Sequence, residues 1–124
     1  MIVVHPSAVL TLLCNEPGAN AIAAKLCAAP DAVMSPVCAM DLLLTLSQRY
    51  GDPAPVLSAF LRESRIAQRP VDAAQTGMAR QGFLTFGQGK WTLADCFTYG
   101  AAKALDAPVL VTTDIFAKSD IRMA

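Results

Sequence analysis

The sequence predicts an α/β fold in which a mostly parallel central sheet of about four to five short strands is flanked by helices. Short apolar runs rich in β-branched residues alternate with longer helical patterns, which is typical of strand–helix–strand units. Clusters of Pro, Gly, Asp and Asn separate these segments. The length of 124 residues suits one compact domain, so we expect a single domain over residues 1–124.

The first half of the chain predicts two strands and three helices. Residues 2–4 are β-branched and predict a buried strand that ends at His5. Ser7 is expected to cap a helix that ends near residue 15. Pro17 opens an Ala-rich helix to about residue 28, and residues 32–35 predict the second strand.

A strong helix start follows at Ser35 and Pro36, which suit the cap and the first helical position. This helix is expected to run to about Tyr50. Its residues 37–46 are apolar on nearly every side, so we expect it to lie deep in the structure.

The second half predicts three more helices and one or two more strands. The predicted segments are a helix over 55–64, a strand or extended link over 66–71, a helix over 72–86, a helix over 93–105 capped by Thr92, and a strand over 109–112. Pro70 makes the segment 66–71 a poor central strand.

Composition restricts the classes of function. Apolar residues make up 54% and charged residues 16% of the chain, which predicts an apolar surface covered by a second copy or a partner. A net charge of zero argues against bulk binding of nucleic acid. Local contact with RNA stays open, although an ordinary solvated face explains the same charges. The basic residues concerned are Arg62, Arg65, Arg69, Arg80 and Lys90.

Cysteine spacing and hydropathy predict a cytoplasmic protein. The four cysteines, Cys14, Cys27, Cys38 and Cys96, have no zinc-binding spacing and are expected to be reduced core residues. The N-terminus lacks the basic segment of a signal peptide. Since no run of about 18 apolar residues occurs, no membrane span is expected.

Four residues are candidates for a functional site. His5 and Asp114 follow predicted strands, where ligands of parallel sheets bind. Asp41 is the only acid in a very apolar helix, and its burial would need a partner or a metal; the alternative is a helix face that reaches solvent. Asp95 can instead complete a capping box with Thr92. Asp114 can equally cap a short segment, and His5 can be a core histidine that donates to a backbone carbonyl.

Together these residues fall in segments that resemble the PIN-domain family of VapC-type toxins. Residues 2–10, Ile-Val-Val-His-Pro-Ser-Ala-Val-Leu, are similar to the family's opening of a hydrophobic strand, Asp, any residue, Ser and Ala. Residues 40–44 are similar to its acid on a long apolar helix. Residues 92–103 resemble its Leu-x-Asp-Cys-x-x-Tyr-Ala-x-Ala-Lys segment, and residues 109–114 its strand-Thr-x-Asp ending.

The resemblance implies a PIN-like fold and an endoribonuclease that hydrolyses phosphodiester bonds of single-stranded RNA. It implies catalytic acids at Asp41, Asp95 and Asp114, and binding of Mg²⁺ or Mn²⁺ by these acids together with position 5. Ser7 matches a supporting hydroxyl that would hold a metal-bound water. The implied partners are RNA, a small antitoxin of the VapB type and a second copy in a homodimer.

Two residues depart from the family pattern. His5 stands where the family has aspartate, and Asp41 where it usually has the longer glutamate. An imidazole supplies no negative charge and is a softer ligand than a carboxylate, so we expect weakened activity. The alternatives are an inactive PIN domain that binds an antitoxin or dimerises, and a hydrolase that prefers Zn²⁺ or Mn²⁺ and uses His5 as a ligand.

Overall fold

The computed structural model describes all residues, 1–124, and has four strands and six α-helices. In chain order they are β1 (Ile2–Val4), α1 (Pro6–Leu13), α2 (Ala19–Ala28), β2 (Ala32–Met34), α3 (Pro36–Ser47), α4 (Ala54–Glu63), β3 (Ile66–Gln68), α5 (Ala73–Gly82), α6 (Leu93–Leu105) and β4 (Val109–Leu110). A π-helical turn, Phe83–Gly87, continues α5. The predicted α/β fold is confirmed.

The sheet is entirely parallel, in the order β3-β2-β1-β4. Val3 pairs with Val33 on one side and with Val109 on the other, so β1 is central. The chain therefore builds the sheet outward from β1 in both directions. Such a reversal opens a crevice at the carboxyl ends of the two strands concerned, β1 and β4.

Each face of the sheet carries its own apolar core, because successive side chains of a strand point to opposite faces. Ile2 and Val4 belong to the larger core, which α1 to α4 cover. Val3 belongs to the smaller core, which includes Trp91 and Phe116 and is covered by α6. Helix α5 packs on the outside of α6.

Three expectations about local structure are wrong. His5, not Ser7, is the N-cap of α1, because the ring of His5 accepts a hydrogen bond from the Ser7 backbone N–H. Helix α3 is not buried all round: Met40 is 51% and Leu44 is 54% exposed. The apolar composition of α3 therefore overstated its burial, since Met40 and Leu44 lie on a side of the helix that is open to solvent.

The third error concerns the cysteines. All four are free, but only Cys38 is buried, Cys27 is exposed, and the other two are half-buried. Placement on helices that are partly open to solvent explains the difference. None of the helices is both long enough and apolar enough to cross a membrane.

Candidate functional site

His5 leaves the central strand β1 at the crevice between β1 and β4. The residue is 7% exposed, and its imidazole packs edge-on against the Phe116 ring, with centroids 5.8 Å apart. The Nε2 atom lies 2.6 Å from Oδ1 of Asp95, which is 90 residues away in the sequence. The fold thus joins the end of the first strand to the start of α6.

The second ring nitrogen defines the tautomer of His5. Nδ1 lies 3.1 Å from the Ser7 backbone nitrogen and 2.8 Å from Ser7 Oγ. The backbone N–H can only donate, so Nδ1 carries a lone pair and, in the neutral ring, the proton resides on Nε2. The Ser7 hydroxyl can donate to Nδ1 while its oxygen accepts from the Thr112 N–H at 3.0 Å. This network connects β1, α1 and the residue two positions beyond β4.

Asp95 has a partner for each carboxylate oxygen. Oδ1 accepts from His5, and Oδ2 accepts from the Thr92 backbone N–H at 2.9 Å. Thr92 Oγ1 accepts in turn from the Asp95 N–H at 3.2 Å, which completes the expected capping box. Burial raises the pKa of Asp95, but the hydrogen bonds from His5 and Thr92 and the His5 charge outweigh it, and the pKa is lowered.

Asp41 lies beside the beginning of α6. It is half-buried and lines a shallow cavity of about 250 Å³ on the outer side of α3. The cavity residues are Val37, Met40, Asp41, Leu44, Leu93 and Ala94. The side chain of Asp41 makes no hydrogen bond or ion pair, so the alternative of a helix face that reaches solvent describes it best.

Cys38 packs one turn before Asp41 and faces α6. Its thiol lies 3.3 Å from the Ala94 carbonyl and 3.2 Å from Thr98 Oγ1. Burial raises the pKa of Cys38 to about 12, and the charges of Asp41 and Asp95 act in the same direction. Cys38 thus ties α3 to Ala94, which also lines the Asp41 cavity.

Asp114 is exposed in the turn after β4, where its carbonyl accepts from the Ala117 N–H. Its carboxylate has no hydrogen-bond or ion-pair partner. The structure thus joins His5, Ser7 and Asp95 directly, puts Asp41 beside them at the start of α6, and leaves Asp114 at the surface of the same sheet edge.

A divalent cation does not fit these side chains as they are placed. No three His, Cys, Asp or Glu side chains form a group that could hold a metal ion. Both oxygens of Asp95 and both ring nitrogens of His5 already have partners within the protein. Mg²⁺ and Mn²⁺ require several oxygen ligands with free lone pairs directed at one point.

The sequence interpretation missed two contributors to the site, Thr112 and Phe116. Thr112 acts through its backbone N–H, which no residue pattern reveals. Phe116 is fully buried against His5, although it follows the last strand in a segment without regular structure. The spacing His5-x-Ser7 after a strand was the available signal for a capped helix start.

Known ribonucleases are similar to this chain over nearly its whole length. No family model matches the sequence. The chain is 30% identical to Ribonuclease VapC30 of Mycobacterium tuberculosis, over 96% of this chain and 95% of that protein. It is 27% identical to a Ribonuclease VapC of Mycolicibacterium smegmatis, over 96% of both proteins.

Solved structures share the fold. The crystal structure of M. tuberculosis VapC20, described as a Sarcin-Ricin loop cleaving toxin, superposes with a TM-score of 0.81 at 13% identity, covering 100% of this chain and 98% of that one. A toxin-antitoxin complex from Klebsiella pneumoniae gives a TM-score of 0.75 at 12% identity, covering 97% of this chain and 93% of that one.

Proposed function

Because this chain belongs to the VapC family of PIN-domain ribonuclease toxins, we propose that it hydrolyses phosphodiester bonds of single-stranded RNA, with activity weakened by His5. The observation that carries the proposal is the meeting of His5 and Asp95 at the carboxyl edge of the sheet. Position 5 and Asp95 are two of the positions at which the family resemblance puts acids. The proposal therefore takes this edge as the family's site, with His5 in place of its first acid and Asp41 in place of its usual glutamate.

We assign the catalytic role to three carboxylates, Asp41, Asp95 and Asp114. Asp95 is held ionised and oriented by its hydrogen bonds, whereas Asp41 and Asp114 have unpaired carboxylates near or at the surface. The family implies Mg²⁺ or Mn²⁺ at these acids, and the present donor arrangement does not fit such an ion. We therefore propose that metal-dependent cleavage is weak in this protein and increases when position 5 becomes aspartate.

Cleavage of a mixed pool of single-stranded RNA tests the activity of the unmodified chain. With Mg²⁺ or Mn²⁺ we expect slow cleavage that disappears in Asp95→Ala and on chelation. Lys118→Ala is a suitable control, because Lys118 is exposed and lies outside the hydrogen-bond network. Cleavage that persists undiminished in Asp95→Ala would assign it to a contaminant or to another site.

The second candidate function is an inactive PIN domain that binds an antitoxin. The full pairing of His5 and Asp95 within the protein favours it. Complete absence of cleavage by the unmodified chain, together with tight binding of its antitoxin, would establish this function in place of the first.

An antitoxin is the partner that we propose for the exposed apolar surface of α3. Met40, Leu44 and Leu93 are each more than half exposed and line the same cavity as Asp41. Such a surface suits an amphipathic helix that carries a basic residue toward Asp41. The K. pneumoniae structural neighbour is a toxin-antitoxin complex, which supports a partner of this kind.

The test of this surface is binding of a small protein encoded next to this chain. Leu44→Lys should weaken the complex, because it adds a charge to the apolar contact without touching the core. Val56→Lys is a matched control, because Val56 is 58% exposed on α4 and lies outside the Asp41 cavity. Equal weakening by both variants would place the partner elsewhere.

A homodimer and a cytoplasmic location complete the proposal. Further large apolar side chains are exposed on α5 and the π turn, namely Met78, Leu84 and Phe86. A second copy would remove them from water. Light scattering at tens of micromolar should give about twice the 13.1 kDa chain mass, and a clean monomer would contradict the dimer. RNA and reduced thiols are both found in the cytoplasm.

A further inference from the structure

We propose that His5 takes the place of a divalent cation in this site, so that its Nε2–H group bonds Asp95 and the folded protein keeps its carboxyl edge assembled without metal. The inference rests on the proposed function in one respect, namely that Asp95 is one of the acids that the family resemblance assigns to metal binding. It goes further in stating what His5 does in this chain: its ring N–H supplies the Asp95 carboxylate with the partner that a metal ion would otherwise provide.

The first argument comes from the Asp95 carboxylate. This side chain is buried, and a buried carboxylate needs hydrogen-bond donors or a cation. The protein supplies a donor for each oxygen, at 2.6 Å from His5 and 2.9 Å from Thr92. A metal ion that ligated Oδ1 would have to share this oxygen with the short hydrogen bond from the His5 N–H.

The second argument comes from the imidazole. For His5 to ligate a metal through Nε2, the ring proton would have to move to Nδ1. Nδ1 would then no longer accept from the Ser7 backbone N–H, and α1 would lose its N-cap. The same nitrogen cannot cap the helix and carry a proton, so the structure selects the tautomer that does not bind metal through Nε2.

The third argument is the number of elements that the imidazole connects. His5 ends β1, caps α1, bonds the first turn of α6 and, through Ser7 Oγ, reaches the Thr112 N–H beyond β4. Phe116 covers its ring. All the elements at this crevice are therefore joined by hydrogen bonds of the protein itself.

Cation binding separates this inference from its alternatives without measuring RNA cleavage. The proteins compared are the unmodified chain, His5→Asp and His5→Asn, each titrated with Mn²⁺ by calorimetry and melted in EDTA and in Mn²⁺. Aspartate and asparagine can both cap α1 with a side-chain oxygen. Only aspartate adds a charged ligand, and neither reaches Asp95 with a ring N–H.

The expected results differ for each protein. The unmodified chain should show the same melting temperature in EDTA and in Mn²⁺. His5→Asp should melt lower in EDTA, because two carboxylates then face each other, and should recover with Mn²⁺. Its affinity for Mn²⁺ should exceed that of the unmodified chain by at least about tenfold. His5→Asn should melt lower in both conditions, with no recovery by the cation.

Two results would overturn the inference. One is equal Mn²⁺ affinity of the unmodified chain and His5→Asp, whether both bind or neither binds. The other is a nitrogen NMR spectrum of the unmodified chain in which Nε2 lacks a proton, which stays decisive if His5→Asp fails to fold. Should the cation pattern hold while no variant cuts RNA, the proposed function fails and the role of His5 stands.

Discussion

Replacing Asp95 by alanine should destabilise the protein strongly, because its side chain accepts two hydrogen bonds. Asp95→Ala removes the acceptor of the His5 Nε2–H at 2.6 Å and of the Thr92 N–H at 2.9 Å. Hydrogen bonds to charged groups contribute about 1.5–3 kcal/mol each, and an unpaired buried donor costs about 1–3 kcal/mol. With partial relaxation, we expect a loss of about 3–4 kcal/mol.

Asp95→Asn is the matched control for this prediction. Its amide oxygen can still accept from His5, whereas its NH₂ group cannot accept from the Thr92 N–H. The expected loss is therefore smaller, about 1–2 kcal/mol. Urea unfolding followed by circular dichroism measures both. A loss below about 1 kcal/mol for alanine, or equal losses for the two variants, would refute the assigned hydrogen bonds.

Three further predictions concern other measurements. Because the pKa of Asp95 is lowered in the folded state, its contribution to stability is present above its ordinary pKa and is lost as pH falls through the lower folded value. Measurement of the unfolding free energy against pH should show this loss in the unmodified chain, and Asp95→Asn should lack it. Gly100→Ala should destabilise the protein by about 1–3 kcal/mol, because the added Cβ would lie 2.6 Å from the Gln75 carbonyl oxygen. Gly77→Ala meets open space and should stabilise its helix by up to about 1 kcal/mol. Thermal melting that ranks the two variants the other way would contradict the packing of α5 on α6. Cys38 should resist alkylation in the native protein, because burial raises its pKa to about 12, whereas the exposed thiol of Cys27 on α2 should react. Mass spectrometry that finds Cys38 modified first would contradict its burial.

The sequence predicted the order and type of the elements because their signals are local. Pro36 after Ser35, and Thr92 three residues before Asp95, are helix starts that hold in the structure. The order of the strands in the sheet was not predicted, since it depends on which apolar faces pack together. The burial of α3 was overestimated for the same reason, because composition alone does not reveal which side of a helix meets a partner.

Within the candidate site, the proximity of His5 and Asp95 was predicted but their hydrogen bond was not, and the roles of Asp41 and Asp114 stay predictions. The resemblance identified His5 and Asp95 as neighbours, and the structure bonds them directly. The alternative of a core histidine predicted that His5 donates its ring proton to a backbone carbonyl. In the structure His5 donates it to the Asp95 carboxylate. That choice depends on the capping of two helices at once, which is a property of the folded crevice.

The most direct test of the account compares RNA cleavage by the unmodified chain and by His5→Asp at equal concentration, in Mg²⁺ and in Mn²⁺. Aspartate retains a capping oxygen for α1 and restores a charged ligand at position 5. We predict that His5→Asp cleaves about 100-fold faster or more, equivalent to about 3 kcal/mol in the transition state, and that Asp41→Ala added to it abolishes the gain. Equal rates with Mg²⁺ for the two proteins would contradict the account, because position 5 would then have no part in the reaction.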